Sequence, residues 1–153
     1  MPALLILAHA PLAGALKQAA LHTYAEDAQR IQAVDVPPQA DAQAVQSLVC
    51  EALERARAST VGHEVLVMTD VFGATPCNMA TRLAQEPGVR VVAGVNVPML
   101  WRVLNYAQEP LDQLVSRALG GAAQGILQVT ATASPQQQTT IHANAEVDHH
   151  HHQ

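Results

Sequence analysis

The chain has 153 residues, of which 49% are hydrophobic, and its formal net charge at pH 7 is −5. That length and apolar content predict one globular domain with a substantial core. The 8 Lys and Arg residues are scattered singly along an acidic chain, which argues against a nucleic-acid-binding surface.

Cysteine usage and apolar runs bear on the compartment in which the protein works. Cys50 and Cys77 show no CxxC or metal-ligand spacing, so we expect reduced thiols and a cytoplasmic protein. Residues 3–8 are apolar but too few to span a membrane, and no basic residue precedes them. The sequence therefore predicts neither a membrane span nor a signal peptide.

Strands and helices are predicted to alternate along the chain. Residues 3–8 are apolar at every position, which is typical of a strand covered on both faces. The clearest helical pattern has apolar residues at i, i+3, i+4, i+7, i+8 and i+11, namely Val45, Leu48, Val49, Ala52, Leu53 and Ala56. In chain order we predict strand 3–8, helix 12–28, strand 31–36, helix 40–58, strand 64–69, helix 75–85, strand 89–93, a helix after Pro98, helix 110–123 and strand 125–132. Residues 133–153 form a polar tail that ends in four histidines, and we expect little order there.

The alternation of apolar strands with helices predicts an α/β fold with a parallel sheet and helices on both faces. In such sheets ligands bind beyond the carboxyl ends of the strands, where the strand order reverses. For the common order 2-1-3-4, strands one and three are neighbours at that reversal. Their tips carry His9 and Asp70, so we expect these two side chains within hydrogen-bonding reach.

The segment TDVFGATPCN (residues 69–78) continues from the third strand. Gly73 and Ala74 allow a tight turn, Thr75 stands at a helix N-cap position, and Pro76 suits the first helical position. Free N–H groups at a helix N-terminus attract anions, phosphate in particular. For this segment alone, an ordinary βα turn with Asp70 as a local cap is the alternative.

Together these features favour transfer of a phosphoryl group onto His9. A carboxylate that accepts one ring N–H fixes which imidazole nitrogen is free to attack, and it favours the positive charge that then develops. The Thr75 hydroxyl and the helix N–H groups would stabilise the phosphoryl oxygens. A satisfied structural histidine at a strand end is the alternative for His9.

Three segments, LAHAPLAG (7–14), TDVFGATPCN (69–78) and VAGVNVPML (92–100), resemble the mannose-type enzyme IIA domains of the bacterial phosphotransferase system. The resemblance covers about residues 3 to 127, in order and with matching spacing. It implies a three-layer sandwich: a sheet of order 2-1-3-4, parallel except for a C-terminal antiparallel edge strand, within a domain of residues 1–132. It also implies a homodimer, in which that edge strand is exchanged between copies in some family members.

The resemblance assigns roles to residues at the strand ends. His9 would take the phosphoryl group from the phosphocarrier HPr and pass it to a separate enzyme IIB for sugar uptake, with Asp70 as its hydrogen-bonding partner. The phosphate would lie at Thr75, Gly73 and Ala74. The rim of the site is expected at four residues, Ala10, Phe72, Asn96 and Met99. No cofactor or metal is implied, and the membrane components IIC and IID would be nearby only if the role is transport.

The sequence departs from the family pattern at three positions. The turn usually carries two glycines, but the second is Ala74 here, so that position must accept a Cβ. The residue after the histidine is commonly Gly, whereas Ala10 and Pro11 follow His9. Phe72 stands where Trp is frequent. None of these changes removes a reacting group.

Three other functions are weighed against this one. A response-regulator receiver needs an acidic pair after strand one and a lysine after strand five, but the only lysine is Lys17. A dihydroxyacetone-kinase phosphocarrier is closer, although the GATPCN and NVPM segments favour the sugar-system type. A regulatory phosphoprotein, whose His9 phosphorylation controls a protein partner without transport, has the same chemistry and stays open. The terminal histidines of the tail are not assigned to a metal site.

Overall fold

A four-stranded parallel sheet forms the centre of the structure, a computed structural model that describes residues 1–131. The predicted polar tail, residues 133–153, lies outside the described residues. In chain order the elements are β1 (Ala3–His9), α1 (Leu12–Leu21), α2 (Ala25–Gln29), β2 (Gln32–Val36), α3 (Ala42–Ala58), β3 (Val65–Thr69), α4 (Thr75–Leu83), β4 (Val89–Ala93), α5 (Val97–Asn105) and α6 (Leu111–Gln124).

The strand order is β2-β1-β3-β4, and all three neighbouring pairs are parallel, which confirms the predicted α/β class and sheet order. Alternate residues of β1 enter separate cores on the two sides of the sheet. Leu5 and Leu7 pack with α3 and α4, whereas Leu4, Ile6 and Ala8 pack with α1, α5 and α6. Both faces of β1 are covered, as its unbroken apolar sequence predicts.

The first helix differs from the prediction of one helix over residues 12–28. The structure ends α1 at Leu21 and starts α2 at Ala25. Between them Tyr24 leaves the helical conformation, with φ −126° and ψ 56°, and its ring packs against the core on that side of the sheet. Packing of one large aromatic side chain therefore interrupts a pattern that local propensity would continue.

The helix α3 begins after Asp41, whose carboxylate accepts the Ala44 N–H at 2.9 Å as an N-cap. Most of its predicted apolar face is buried, but Leu48 is 50% exposed. The prediction that Leu48 lies on the buried face is therefore wrong, because that side chain projects from the edge of the apolar stripe.

The C-terminal edge strand, predicted over residues 125–132, is not formed in the single chain. Gly125 is the C-cap of α6, and residues 126–131 belong to no helix or strand. The apolar side chains of Ile126, Leu127 and Val129 are 76%, 78% and 94% exposed. A strand needs a neighbour that supplies N–H and C=O groups, so the edge strand and the homodimer that would provide such a neighbour stay predictions.

Helices α5 and α6 pack closely through a glycine. A Cβ on Gly121 would lie 2.5 Å from the Cβ of Arg102 on α5, whereas a Cβ on the adjacent Gly120 would have no neighbour within 4 Å. Gly121 is therefore required for the approach of the two helices, and Gly120 is not.

This difference predicts opposite effects of the same substitution at neighbouring positions. We expect Gly120→Ala to raise the free energy of unfolding by about 0.5–1 kcal/mol, because alanine is the better helix former. Gly121→Ala should lower it by about 1–3 kcal/mol, because the added methyl group forces α5 and α6 apart. Urea unfolding of both variants and the wild type measures the effects. Equal effects of the two substitutions would contradict the close contact at Gly121.

Candidate functional site

The tips of β1 and β3 meet at the carboxyl end of the sheet, where His9 and Asp70 form a hydrogen-bonded pair. Leu7 of β1 lies opposite Thr69 of β3, so the residues that follow are neighbours. Nδ1 of the His9 ring lies 2.7 Å from Oδ2 of Asp70. The backbone N–H of His9 donates to the same oxygen at 2.9 Å. The contact predicted between the two side chains is therefore present.

The contact selects the tautomer of the neutral His9 ring. An ionised carboxylate only accepts hydrogen bonds, so Nδ1 must carry the proton that it donates to Asp70. In the neutral ring Nε2 then has the free lone pair. The side chain of His9 is 52% exposed, so this nitrogen is accessible from solvent while the ring is held on its other side.

Asp70 is the buried partner, with a side-chain exposure of only 8%. Its second oxygen, Oδ1, accepts the N–H of Val71 at 2.8 Å. Burial on its own would raise the pKa of the Asp70 carboxyl. The hydrogen bonds from the His9 amide, the His9 ring and the Val71 amide, with the charge of a protonated His9, outweigh burial and hold that pKa below its usual value of 3.8.

The turn between β3 and α4 differs in one detail from the prediction. Gly73 has φ +83°, a conformation that favours glycine, whereas Ala74 has φ −81° and ψ 168° and accepts its Cβ without strain. Ala74, rather than Thr75, is the N-cap, so the N-cap assignment of Thr75 is wrong by one residue. Thr75 is the first helical residue and is exposed.

The N-terminus of α4 keeps unused hydrogen-bond donors. Its N-cap side chain makes no hydrogen bond to the helix. Within residues 1–131, the N–H groups of Thr75 and Cys77 have no acceptor, and Pro76 has no N–H to satisfy. These donors and the helix dipole give this end of α4 a positive electrostatic potential.

A cleft of about 250 Å³ opens beside His9. One wall is α4, with Thr75 and Met79, and the other is the loop between β2 and α3 with Val45 behind it. The loop residues that line the cleft are Pro37, Pro38, Gln39 and Ala40, and Val36 at the end of β2 lines it as well. Two prolines after a strand indicate only that the strand ends, so the sequence pattern predicts no functional role for this loop.

The four residues expected at the rim do not share one environment. Ala10 is exposed, and Phe72 is 86% exposed beside the turn of Asp70. Asn96 is the N-cap of α5: its side chain accepts the Met99 N–H and donates to the Ala122 carbonyl. Met99 is only 1% exposed and lies in the core. The expectation that Met99 lies on the rim is therefore wrong, because the first turn of α5 directs it inward.

Asp35 is a site-adjacent residue that the sequence analysis missed. Its carboxylate accepts the N–H groups of Ala13 and Gly14 at the start of α1. The signal in the sequence is a single acidic residue between the apolar residues of strand β2. Local patterns cannot reveal its partner, because the contact depends on the pairing of β1 with β2.

Residues 1–131 contain neither a metal-binding cluster nor a helix that could span a membrane. In this part of the chain, no three His, Cys, Asp or Glu side chains cluster in a way that would hold a metal ion. No helix within it is long and apolar enough to cross a bilayer.

Comparison with known proteins identifies relatives in one family. A sequence model of the PTS system fructose IIA component family matches residues 3–119. The chain is 43% identical over 47 residues to the PTS system fructose-specific EIIA component of Bacillus subtilis (strain 168). That match covers 30% of this chain and only 32% of the relative.

Solved structures with a similar fold align with this chain over nearly their whole length. The mannose/sorbose-specific IIA subunit from Enterococcus faecalis superposes with a TM-score of 0.75 at 21% identity, over 87% of this chain and 98% of that one. The phosphotransferase system component EIIA from Streptococcus agalactiae gives 0.72 at 20% identity, over 84% and 97%. At these identities the likeness shows the fold alone.

The lowered pKa of Asp70 predicts a pH-dependent contribution to stability. A carboxyl whose pKa is lower in the folded state stabilises the fold above its unfolded pKa, and this stabilisation is lost as the pH falls through the folded value. We expect Asp70→Asn to lower the free energy of unfolding by about 1–3 kcal/mol at neutral pH. The difference from the wild type should shrink as the pH falls below about 4.

Urea unfolding of both proteins between neutral pH and about pH 3 measures this difference. The control is Asp112→Asn, which removes a carboxylate whose side chain is 78% exposed, and it should change stability by less than about 1 kcal/mol. A difference between Asp70→Asn and wild type that stays constant with pH would mean that the charge of Asp70 does not stabilise the fold.

Proposed function

The chain belongs to the family of fructose IIA components of the phosphotransferase system, and we propose that it is a histidine phosphocarrier of that system. His9 accepts a phosphoryl group from phospho-HPr and passes it to a separate enzyme IIB for sugar uptake. The observation that carries the proposal is the 2.7 Å hydrogen bond between Nδ1 of His9 and Oδ2 of Asp70. It leaves Nε2 of a half-exposed ring free to act as the nucleophile.

In the proposed reaction Nε2 of His9 attacks the phosphorus of the donor. The new bond joins Nε2 to phosphorus, and the bond from phosphorus to the donor breaks, with its electron pair staying on the donor. Nδ1 keeps its proton throughout, so the ring becomes positively charged as the bond forms. The carboxylate of Asp70 stabilises that charge, because its pKa is low enough to keep it ionised at neutral pH.

The phosphoryl oxygens need donors of their own. His9 and Thr75 line the same cleft, so the hydroxyl of Thr75 and the unused N–H groups of Thr75 and Cys77 are the nearest candidates. Gly73 supports this arrangement indirectly, since its positive φ turns the chain into α4. Donors already in position stabilise developing oxygen charge without reorganisation.

Transfer onward to the acceptor is the same reaction in reverse, with a nucleophile of enzyme IIB attacking phosphorus and Nε2 leaving. In this scheme the phosphoryl group passes between proteins, and the site never contacts a sugar. The identity of the sugar is therefore a property of the acceptor enzyme, and the residues of this chain do not define it.

The central test is the phosphorylation of variants at His9. We expect His9→Ala to stay folded, because the side chain is half exposed, and to accept no phosphate after incubation with enzyme I, HPr and phosphoenolpyruvate. Intact-mass measurement and fragmentation locate the phosphate in the wild type. The control is His22→Ala, which removes an exposed histidine at the end of α1 and should be labelled like the wild type. Phosphate on a residue other than His9 would refute the proposal.

The role of Asp70 is tested by Asp70→Asn. The variant keeps the shape of the side chain but removes its charge, and its amide N–H₂ can donate to Nδ1 and so stabilise the tautomer in which Nε2 is protonated. We expect transfer to slow by roughly two to three orders of magnitude, the scale of losing one preorganised electrostatic contact. Rapid-quench kinetics measure the rate, and the ring ¹⁵N chemical shifts of His9 report the tautomer. Wild-type rates with an unchanged tautomer would leave Asp70 as a local cap only.

A further inference from the structure

His9 is held from both of its neighbouring strands, and the partner on the β2 side is not part of the chemistry described above. On the β3 side, the carboxylate of Asp70 accepts the backbone N–H of His9. On the β2 side, Ala8 lies opposite Asp35 and His9 lies opposite Val36. The carbonyl of Val36 accepts the Ala10 N–H at 2.9 Å. The carboxylate of Asp35 accepts hydrogen bonds from the start of α1.

The carboxylate of Asp35 caps α1 from a different element. Oδ1 accepts the Ala13 N–H at 2.8 Å, and the Gly14 N–H lies 3.2 Å from Oδ2 and 3.3 Å from Oδ1. The helix has no cap of its own: its N-cap is Pro11, which makes no side-chain hydrogen bond, and its first turn holds no acidic residue. Asp35 therefore supplies the negative charge that a helix N-terminus favours.

The position of this carboxylate leaves no room for a side chain at Gly14. A Cβ at position 14 would lie 2.8 Å from Oδ2 of Asp35, which is closer than two such atoms can pack. Gly14 has no positive φ, so the requirement is one of space and not of backbone conformation. Gly14 is thus explained by Asp35, although glycine inside a helix lowers its stability.

His9 and Asp35 lie on opposite faces of the sheet. His9 follows Leu5 and Leu7 on the face that packs against α3 and α4, and its ring lines the cleft between α4 and the β2–α3 loop. Asp35 alternates with Val34 and Val36, which belong to that same core, so its side chain emerges on the opposite face, towards α1. It therefore holds the turn without contacting the cleft.

We propose that Asp35 is a positioning residue for phosphoryl transfer, an inference that rests on the proposed function. Its carboxylate fixes Ala13 and Gly14 to β2, as the Val36 carbonyl fixes Ala10. Together these contacts hold the segment after His9 so that the ring enters the cleft at the angle that Asp70 requires. Asp35 also occupies the N-terminus of α1. Of the two helix ends next to His9, only that of α4 is then left to hold the phosphoryl oxygens.

The experiment compares Asp35→Asn and Gly14→Ala with the wild type in single-turnover transfer from phospho-HPr. Asp35→Asn removes the charge, and Gly14→Ala keeps the carboxylate but displaces it. We expect both variants to lower the limiting rate by roughly ten- to a hundredfold, the scale of a small misplacement of a reacting group. The donor concentration at half-saturation should stay within about twofold, because neither residue lines the cleft beside His9.

The matched control is Asp112→Asn. Like Asp35, Asp112 is a carboxylate close to a helix N-terminus, but it lies in the first turn of α6 itself and pairs with Arg90 at the start of β4, at the other end of the sheet. This variant should transfer phosphate at the wild-type rate. Gly14→Ala separates positioning from stability, since alanine favours the helix while it displaces the carboxylate. If Asp35→Asn fails to fold, Gly14→Ala decides alone, and wild-type limiting rates in the folded variants overturn the proposal.

A second readout does not depend on phosphate transfer. In the unphosphorylated variants, NMR should show changed ring ¹⁵N shifts for His9 and faster hydrogen exchange of the Ala10 and Ala13 amides. If the wild type accepts no phosphate on His9, the proposed function fails, and these spectra still decide the positioning role. His9 ring shifts that match the wild type in both variants would then overturn it.

Discussion

Burial of strand β1 on both faces and along both edges is the constraint on which the rest of the structure depends. Residues 5–8 have no exposed surface, so their side chains must be apolar to enter the two cores. His9 is the first polar side chain along the strand, and it marks the point where β1 leaves the core. Because β2 and β3 pair with β1 in parallel, Asp70 after β3 contacts His9 itself, and Asp35 of β2 contacts the start of α1 just beyond it.

The contact between His9 and Asp70 is predictable because it follows from fold class and strand order alone. An apolar strand that ends in histidine, and a second that ends in aspartate, meet if the two strands are neighbours. The predicted start of α3 at residue 40 is also close to the observed start at Ala42, next to its N-cap Asp41. The helix limits depend on signals within a few residues of each other, whereas the contact between His9 and Asp70, 61 residues apart, depends on the strand order.

The features that sequence patterns missed depend on contacts between distant segments. The cap of α1 comes from Asp35 on another strand, so no local cap signal exists at Pro11. Met99 sits next to the Asn96 turn in sequence, but the rotation of α5 places it in the core. Tyr24 interrupts the first helix because its ring packs against the core. In each case tertiary packing decides between local alternatives of similar energy.

The separation of the core into two layers has a consequence for how such a protein diverges. The layer of α3 and α4 contributes the walls of the cleft, including Val45 and Met79. The layer of α1, α5 and α6 lies on the opposite face of the sheet, where Asp35 accepts hydrogen bonds from the start of α1, just after His9. Under the proposed function, substitutions at the exposed residues 37–39 of the β2–α3 loop change the surface that a partner protein meets, and they leave the contacts of Asp70 and Asp35 in place. On that proposal, partner recognition evolves at this loop without renewed selection on the geometry of the histidine.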